Sequence, residues 1–157
     1  MTIAVSVMVI SLLIGLANYL RFLDKQRLYQ AGANVEIMLK DGRSKAQNGY
    51  LGSEELGYCT QLAGVEISSA TDVSGRISII GRLSCADDSS LIYESFTLEQ
   101  AEVAIDQHFQ IIFLPSRGAR LTLGGATTSS GAAVLSQRDS AVIFNLDQGG
   151  TIDVSYQ

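Results

Sequence analysis

Few side chains in this chain have the type and spacing to do chemistry. Cys59 and Cys85 are its only cysteines and stand 26 positions apart, His108 is its only histidine, and Asp87 and Asp88 are adjacent carboxylates. Two thiols without a CxxC pair and a single imidazole supply a metal poorly. In an oxidising compartment the thiols would most simply pair, closing a loop that the chain-entropy model values at about 3 to 4 kcal/mol. In a cytosolic fold they would stay as two buried thiols. His108 precedes the apolar run "FQIIFL" and reads as a strand-edge side chain rather than a general base. No GxSxG is present, and the glycine pairs at 124–125 and 149–150 lack the following helix that a phosphate cradle needs. Asp87 and Asp88 read as a solvated turn before a cation site. "SRGAR", with Arg117 and Arg120, is the compact basic feature of the second half. A loop kept soluble by charge is its ordinary meaning, and contact with DNA phosphates is the alternative. Nothing here composes a catalytic site, so the chain reads as a non-enzyme that calls for no cofactor and no metal. Its net charge of -5 argues against coating nucleic acid or anionic lipid, which takes a basic surface.

The elements that would carry these residues divide the 157-residue chain into a segment and one domain. Residues 1–20 contain no charge; as a helix rising about 1.5 Å per residue they reach about 30 Å, the thickness of a bilayer core. The segment lacks the basic start and small-residue cleavage site of a secretory signal, and so reads as retained. From Arg21 the pattern turns amphipathic without a break. Leu28, Ala31, Val35, Met38 or Leu39, Gly42 and Ala46 recur at three- and four-residue steps, with charges opposite at Asp24, Lys25, Arg27, Glu36, Lys40, Asp41, Arg43 and Lys45. One continuous helix to about residue 47 is expected, with Asn48 and Gly49 as its C-cap. The period then becomes that of short strands, near 65–68, 76–85, 91–97, 108–114, 121–123, 133–136, 141–145 and 152–156. Pro115 marks a turn, 147–154 a glycine-containing hairpin, and 124–131 a surface loop between strands. The expected fold class is α+β: residues 1–20 an apolar transmembrane helix, 21–48 its amphipathic continuation, and 49–157 an antiparallel β-rich domain on which the helix packs.

That order resembles the type IV pilin superfamily. "TIAVSVMVISLLIG", from Thr2, has the length and texture of the apolar block that opens mature pilins. "YLRFLDKQRLYQAGANVEIMLKDGRSKAQ", from Tyr19, looks like the helix of H-type pseudopilins and related minor pilins. "FQIIFLPSRGARLTL" and "AVIFNLDQGGTIDV" are similar to the strand, glycine turn, strand pattern that ends the same group. The resemblance implies the pilin fold and an extracellular filament subunit, held in the cytoplasmic membrane before assembly with its C-terminal domain outside. It implies a prepilin whose basic leader is cut by a prepilin peptidase that N-methylates the new terminus, here Met1. An assembly platform then polymerises the subunit, which serves adhesion to host or neighbouring cells, surface motility or DNA uptake. Arg21, Lys25 and Arg27 after the span oppose that orientation by the positive-inside rule; a removed basic leader would supply the balancing charge.

Two departures from the family bear on mechanism. Pilins usually carry a glutamate at the fifth mature position, which pairs with a neighbour's N-terminal amine; here Val5 or Ser6 stands there. The frequent proline after the apolar block is also missing, leaving Gly15 as the one helix-loosening residue in it. Val5, Ser6, Val9, Ser11, Leu12 and Gly15 are the candidate filament-core packing residues. Ser6 and Ser11 either return hydroxyl bonds to their own helix or, with Gly15, allow close helix approach. A pseudopilin of a type II secretion system and a single-span protein whose β domain binds a ligand by itself are the two other functions the sequence fits.

Overall fold

A computed structural model describes the chain except Met1, Leu56, 99–102 and Arg117, and except the side chains of 2–7 and 9–11. One helix, α1 (Thr2–Gln47), is followed by twelve strands among the described residues. At 46 residues it is about 70 Å long. Among the described residues, its contacts with the rest of the molecule lie from Arg21 onward. Leu28, Gly32, Val35, Met38, Leu39, Gly42 and Ala46 form its buried face, the three- and four-residue rhythm expected from the sequence except that Gly32 is buried in the place expected of Ala31, which is half-buried. Lys40 pairs with Glu36 one turn back on the exposed side, and Lys45 with Asp41 half-buried against the Tyr93 ring. The helix stops as the sequence suggests: Gly49 adopts φ 64°, the Tyr50 amide donates to the Lys45 carbonyl (2.9 Å) and the Gly49 amide to Ala46 (3.3 Å). That is a Schellman closure, which only a residue at ease in the left-handed region makes cheaply.

β1 (Gly52–Ser53) and β2 (Gly57–Tyr58) form a small hairpin beyond the helix end. β3 (Leu62–Thr71), β4 (Ile77–Cys85) and β5 (Ser90–Leu98) make a meander, and β7 (Phe109–Phe113), β8 (Ala119–Leu123) and β9 (Ala126–Thr128) extend it. The six-stranded sheet runs β5-β4-β3-β7-β8-β9, every neighbour antiparallel. A second sheet, β12 (Ile152–Tyr156), β11 (Ser140–Asp147), β10 (Ser130–Gln137) and β6 (Ala104–Ile105), is antiparallel too. Alternate residues face inward, Ile77, Ile79, Gly81, Leu83 and Cys85 on β4 and Val142, Phe144 and Leu146 on β11, so one core lies between helix and sheets.

Two glycines let α1 touch both sheets. A Cβ on Gly32 would lie 2.8 Å from Val142 Cγ1 of β11, and one on Gly42 2.9 Å from Ile67 Cδ1 of β3. The chain end is tied down as well. Tyr29 donates its hydroxyl to the Gln157 carbonyl (3.1 Å), Tyr156 donates to Glu36 Oε2 (3.1 Å), and the two rings meet edge to face at 5.2 Å.

The α+β class, the single helix and all eight expected strands are present, with ends that differ by no more than three residues. The surface loop expected at 124–131 is a correction. Gly124 and Gly125, at φ 55° and 85°, form the two-residue turn of a β8–β9 hairpin, and β10 has begun by Ser130. Thr127, Thr128 and Ser130 suit an exposed edge strand as well as a loop, so their polarity alone was a poor guide.

Candidate functional site: the uncovered half of α1 and the recess at its base

Cys59 and Cys85 are disulfide-bonded, pinning the segment after β2 to the end of β4. Arg120 is exposed on β8 opposite Ile112, while Arg117 and Met1 lie outside the described residues. Asp87 accepts hydrogen bonds from the Ser89 amide (3.1 Å) and hydroxyl (2.6 Å), which hold its carboxyl below the usual range. Among the described residues no group of His, Cys, Asp and Glu is placed to hold a metal. His108 lies 3.4 Å from Ser69 Oγ and 3.3 Å from Thr71 Oγ1, fastening the start of β7 to the end of β3. These are structural ties, and none assembles a reacting centre.

The backbone of Val5, Ser6, Val9 and Ser11 belongs to α1, and their side chains lie outside the described residues. Leu12 and Gly15 are described. Leu12 is 72% exposed, and a Cβ on Gly15 would meet nothing within 4 Å. Every residue from 12 to 22 is exposed, including Leu13, Ile14, Leu16, Tyr19, Leu20 and Phe22. At about 100° of rotation per residue those side chains point to all sides of the helix rather than along one stripe. A single partner helix covers one stripe, so a solvent of lipid, or several helices at once, is what such a cylinder fits. Among the described residues no helix is long and apolar enough to cross a membrane; most of 1–11 falls outside what is described there.

At the base of this half, α1 passes the two-residue hairpin between β10 and β11. Arg138 occupies its first position at φ 52°, an uncommon conformation for a residue with a Cβ, and its guanidinium meets Asp24 at 2.9 Å. Gln137, next to it, is 6% exposed, and its Oε1 has no hydrogen-bond partner among the described residues. Arg21, Phe22, Asp24 and Lys25 of α1 face Gln137, Arg138, Asp139 and Ser140 across a recess of about 210 Å³. Sequence reasoning missed this recess. The inward rhythm Ala133, Leu135 places Gln137 on the core side of β10, and ending the strand at 136 concealed a polar residue there.

In comparison with known proteins, no family model, no curated protein and no solved structure matches the chain.

Proposed function

We propose that this chain is the structural subunit of a type IV pilus filament. The observation that carries the reading is the helix that is apolar and exposed on all sides over 12–20 and continues directly into a half buried on its own β domain. One half is satisfied within the chain; the other needs surroundings from outside it. Lipid tails are about as apolar as Leu and Val, so transfer of that half from bilayer to a helix bundle is nearly balanced. A monomer stored in the cytoplasmic membrane, domain outward, is then extracted by an ATP-driven platform and buried against other copies. Head-to-tail stacking gives an open helical homopolymer. The Cys59–Cys85 bond accords with an extracytoplasmic domain, since such bonds persist where thiols are not kept reduced.

In this reading Met1 is the candidate for N-methylation, and Val5, Ser6, Val9, Ser11, Leu12 and Gly15 line the filament core. Arg117 and Arg120 are the basic outer residues available to a cell surface or to DNA. Negative-stain microscopy of material sheared from cells is the test. Thin filaments carrying this chain are expected at native expression. Filaments only on overexpression would favour a secretion pseudopilin, and a monomer that stays in the membrane fraction would favour a single-span ligand-binding domain.

A further inference from the structure

We propose that the distal end of one copy, past the C-terminus of α1, seats beneath the β domain of a second copy, against the uncovered part of that copy's α1. The inference rests on the reading of the chain as a filament subunit and names the contact between successive copies. Its starting point is one stripe of α1. Leu28, Gly32, Val35, Leu39, Gly42 and Ala46 recur at three- and four-residue steps and lie buried on the β domain. The same steps run backward through Lys25, Arg21, Asn18 and Ile14, and all four are exposed. The β domain thus stops short on its own helix face. It leaves a step whose inner wall is this stripe and whose upper edge is the β10–β11 hairpin.

The residues of the step select its occupant. Ile14 and Phe22 are exposed apolar side chains, and Arg21 and Lys25 are basic. Asp24 is held by Arg138, and Asp139 on the hairpin offsets one positive charge. The complement lies at the other end of the same molecule. Leu51 and Tyr58 are exposed there beside the Cys59–Cys85 bond, with Glu54, Glu55, Asp87 and Asp88 exposed around them. The C-terminal end of α1 adds a partial negative charge, and Lys45 in its last turn is committed to Asp41. Residues 20 and 47 stand about 40 Å apart along the helix, so the two ends of one copy cannot meet. A second copy displaced by that length brings apolar surface to apolar surface and carboxylates to a guanidinium and an ammonium. Two different patches of one chain make a heterologous contact, which repeats head to tail without closing. The contact also supplies an axial ruler, where Val5 and Ser6 supply no charge.

Zero-length carbodiimide coupling of filaments that carry the full chain is the test, read by mass spectrometry of the digested product. An amide between Lys25 and Glu54, Glu55, Asp87 or Asp88 is expected, and a separation of about 40 Å within one copy means that it joins two. Arg21→Glu with Lys25→Glu should lower filament yield about tenfold, as should Glu54→Lys with Glu55→Lys, because each pair sets like charges together. All four positions are exposed, so the fold is spared. Combining the two pairs restores opposite signs and should return the yield to within about twofold of the parent. Filaments that form without these cross-links, or a combination no better than either pair alone, would overturn the contact. If no filaments form at native expression, the filament reading fails by itself. The same coupling on the purified full chain in mild detergent then decides the contact: a Lys25 cross-link between copies upholds it, and its absence overturns it.

Discussion

Gly32→Ala should destabilise this protein although it improves the helix. On an open helix, Gly to Ala gains about 1 kcal/mol. At residue 32 the new methyl would sit 2.8 and 3.0 Å from the two γ carbons of Val142, well inside ordinary contact. Val142 is fully buried and β-branched, so turning χ1 can move one methyl away but always leaves the other, with Cβ at 3.2 Å, against the new group. The helix must lift from β11 or the strand must bend, an overpacking cost of about 1 to 3 kcal/mol. The net loss is then about 1 kcal/mol. Gly42→Ala is the internal control. Its methyl would meet Ile67 Cδ1 at 2.9 Å, the end of a longer side chain, with Ile67 Cγ1 and the Tyr93 hydroxyl next at 3.2 Å, so a smaller loss than at residue 32 is expected. Denaturant unfolding of the full chain in mild detergent, followed by the fluorescence of its six tyrosines in the absence of tryptophan, measures both. Val142→Ala should cost about 2 kcal/mol alone and about 1 kcal/mol less beside Gly32→Ala, the coupling expected of touching residues. If Gly32→Ala matches or exceeds Gly42→Ala in stability, or the pair is additive, α1 does not seat on β11 as described.

Replacing Cys59 and Cys85 by serine should lower stability by about 3 kcal/mol, read as a shift in denaturant midpoint; an unchanged midpoint would show that the bond restrains little in the unfolded chain. Acid should act through the turns. Hydrogen bonds from Ser74, then Arg76, hold the Asp72 carboxyl far below its usual range, and a bond from the Thr151 backbone lowers that of Asp147. Depressed carboxyl groups stabilise above the unfolded value of about 4 and lose that contribution as pH falls through the folded value. The melting temperature should therefore stay level from pH 7 to about 5 and fall below about 4. Asp72→Asn should blunt that fall, and a melting curve indifferent to pH down to 2 would remove these turns from the account.

What was readable in advance followed from periodicity. A helical rhythm from Leu28 to Ala46 and a two-residue rhythm in β4, β7 and β11 both express burial against one core, and burial is what composition records. Hence helix, strands and cap could be placed from residue types. Features made by two distant segments were hidden. Asp24 and Arg138 have no local signature of their pairing, and Gln137 acquires meaning only because α1 passes over the end of β10. Gly32 escaped for a related reason. Its neighbour Ala31 fits the apolar stripe by type, whereas the close approach to Val142 demands a residue with no side chain at the next position. The turn at Gly124 and Gly125 could have been found, since two consecutive glycines between runs of Thr and Leu are a hairpin signal as well as a loop signal.

The absence of a carboxylate at Val5 and Ser6 sharpens a question about register. In a filament built from this helix, Leu12, Leu13, Ile14, Leu16 and Leu20 are nearly interchangeable, so sliding by one turn of about 5.4 Å exchanges like for like. Apolar burial alone is a weak ruler. Gly15 breaks the row, since its missing side chain leaves a notch that, among the described residues and beyond its own helix backbone, nothing approaches within 4 Å. A neighbour's side chain entering that notch would fix one axial position out of several similar ones. Gly15→Leu fills the notch, improves the isolated helix and leaves the β domain untouched, so the monomer should fold and enter the membrane fraction as before. Filaments should then be fewer, or should differ in rise or diameter when measured by helical reconstruction. Filaments of unchanged dimensions and yield would show that register is set elsewhere, by the β domains rather than by the apolar half of α1.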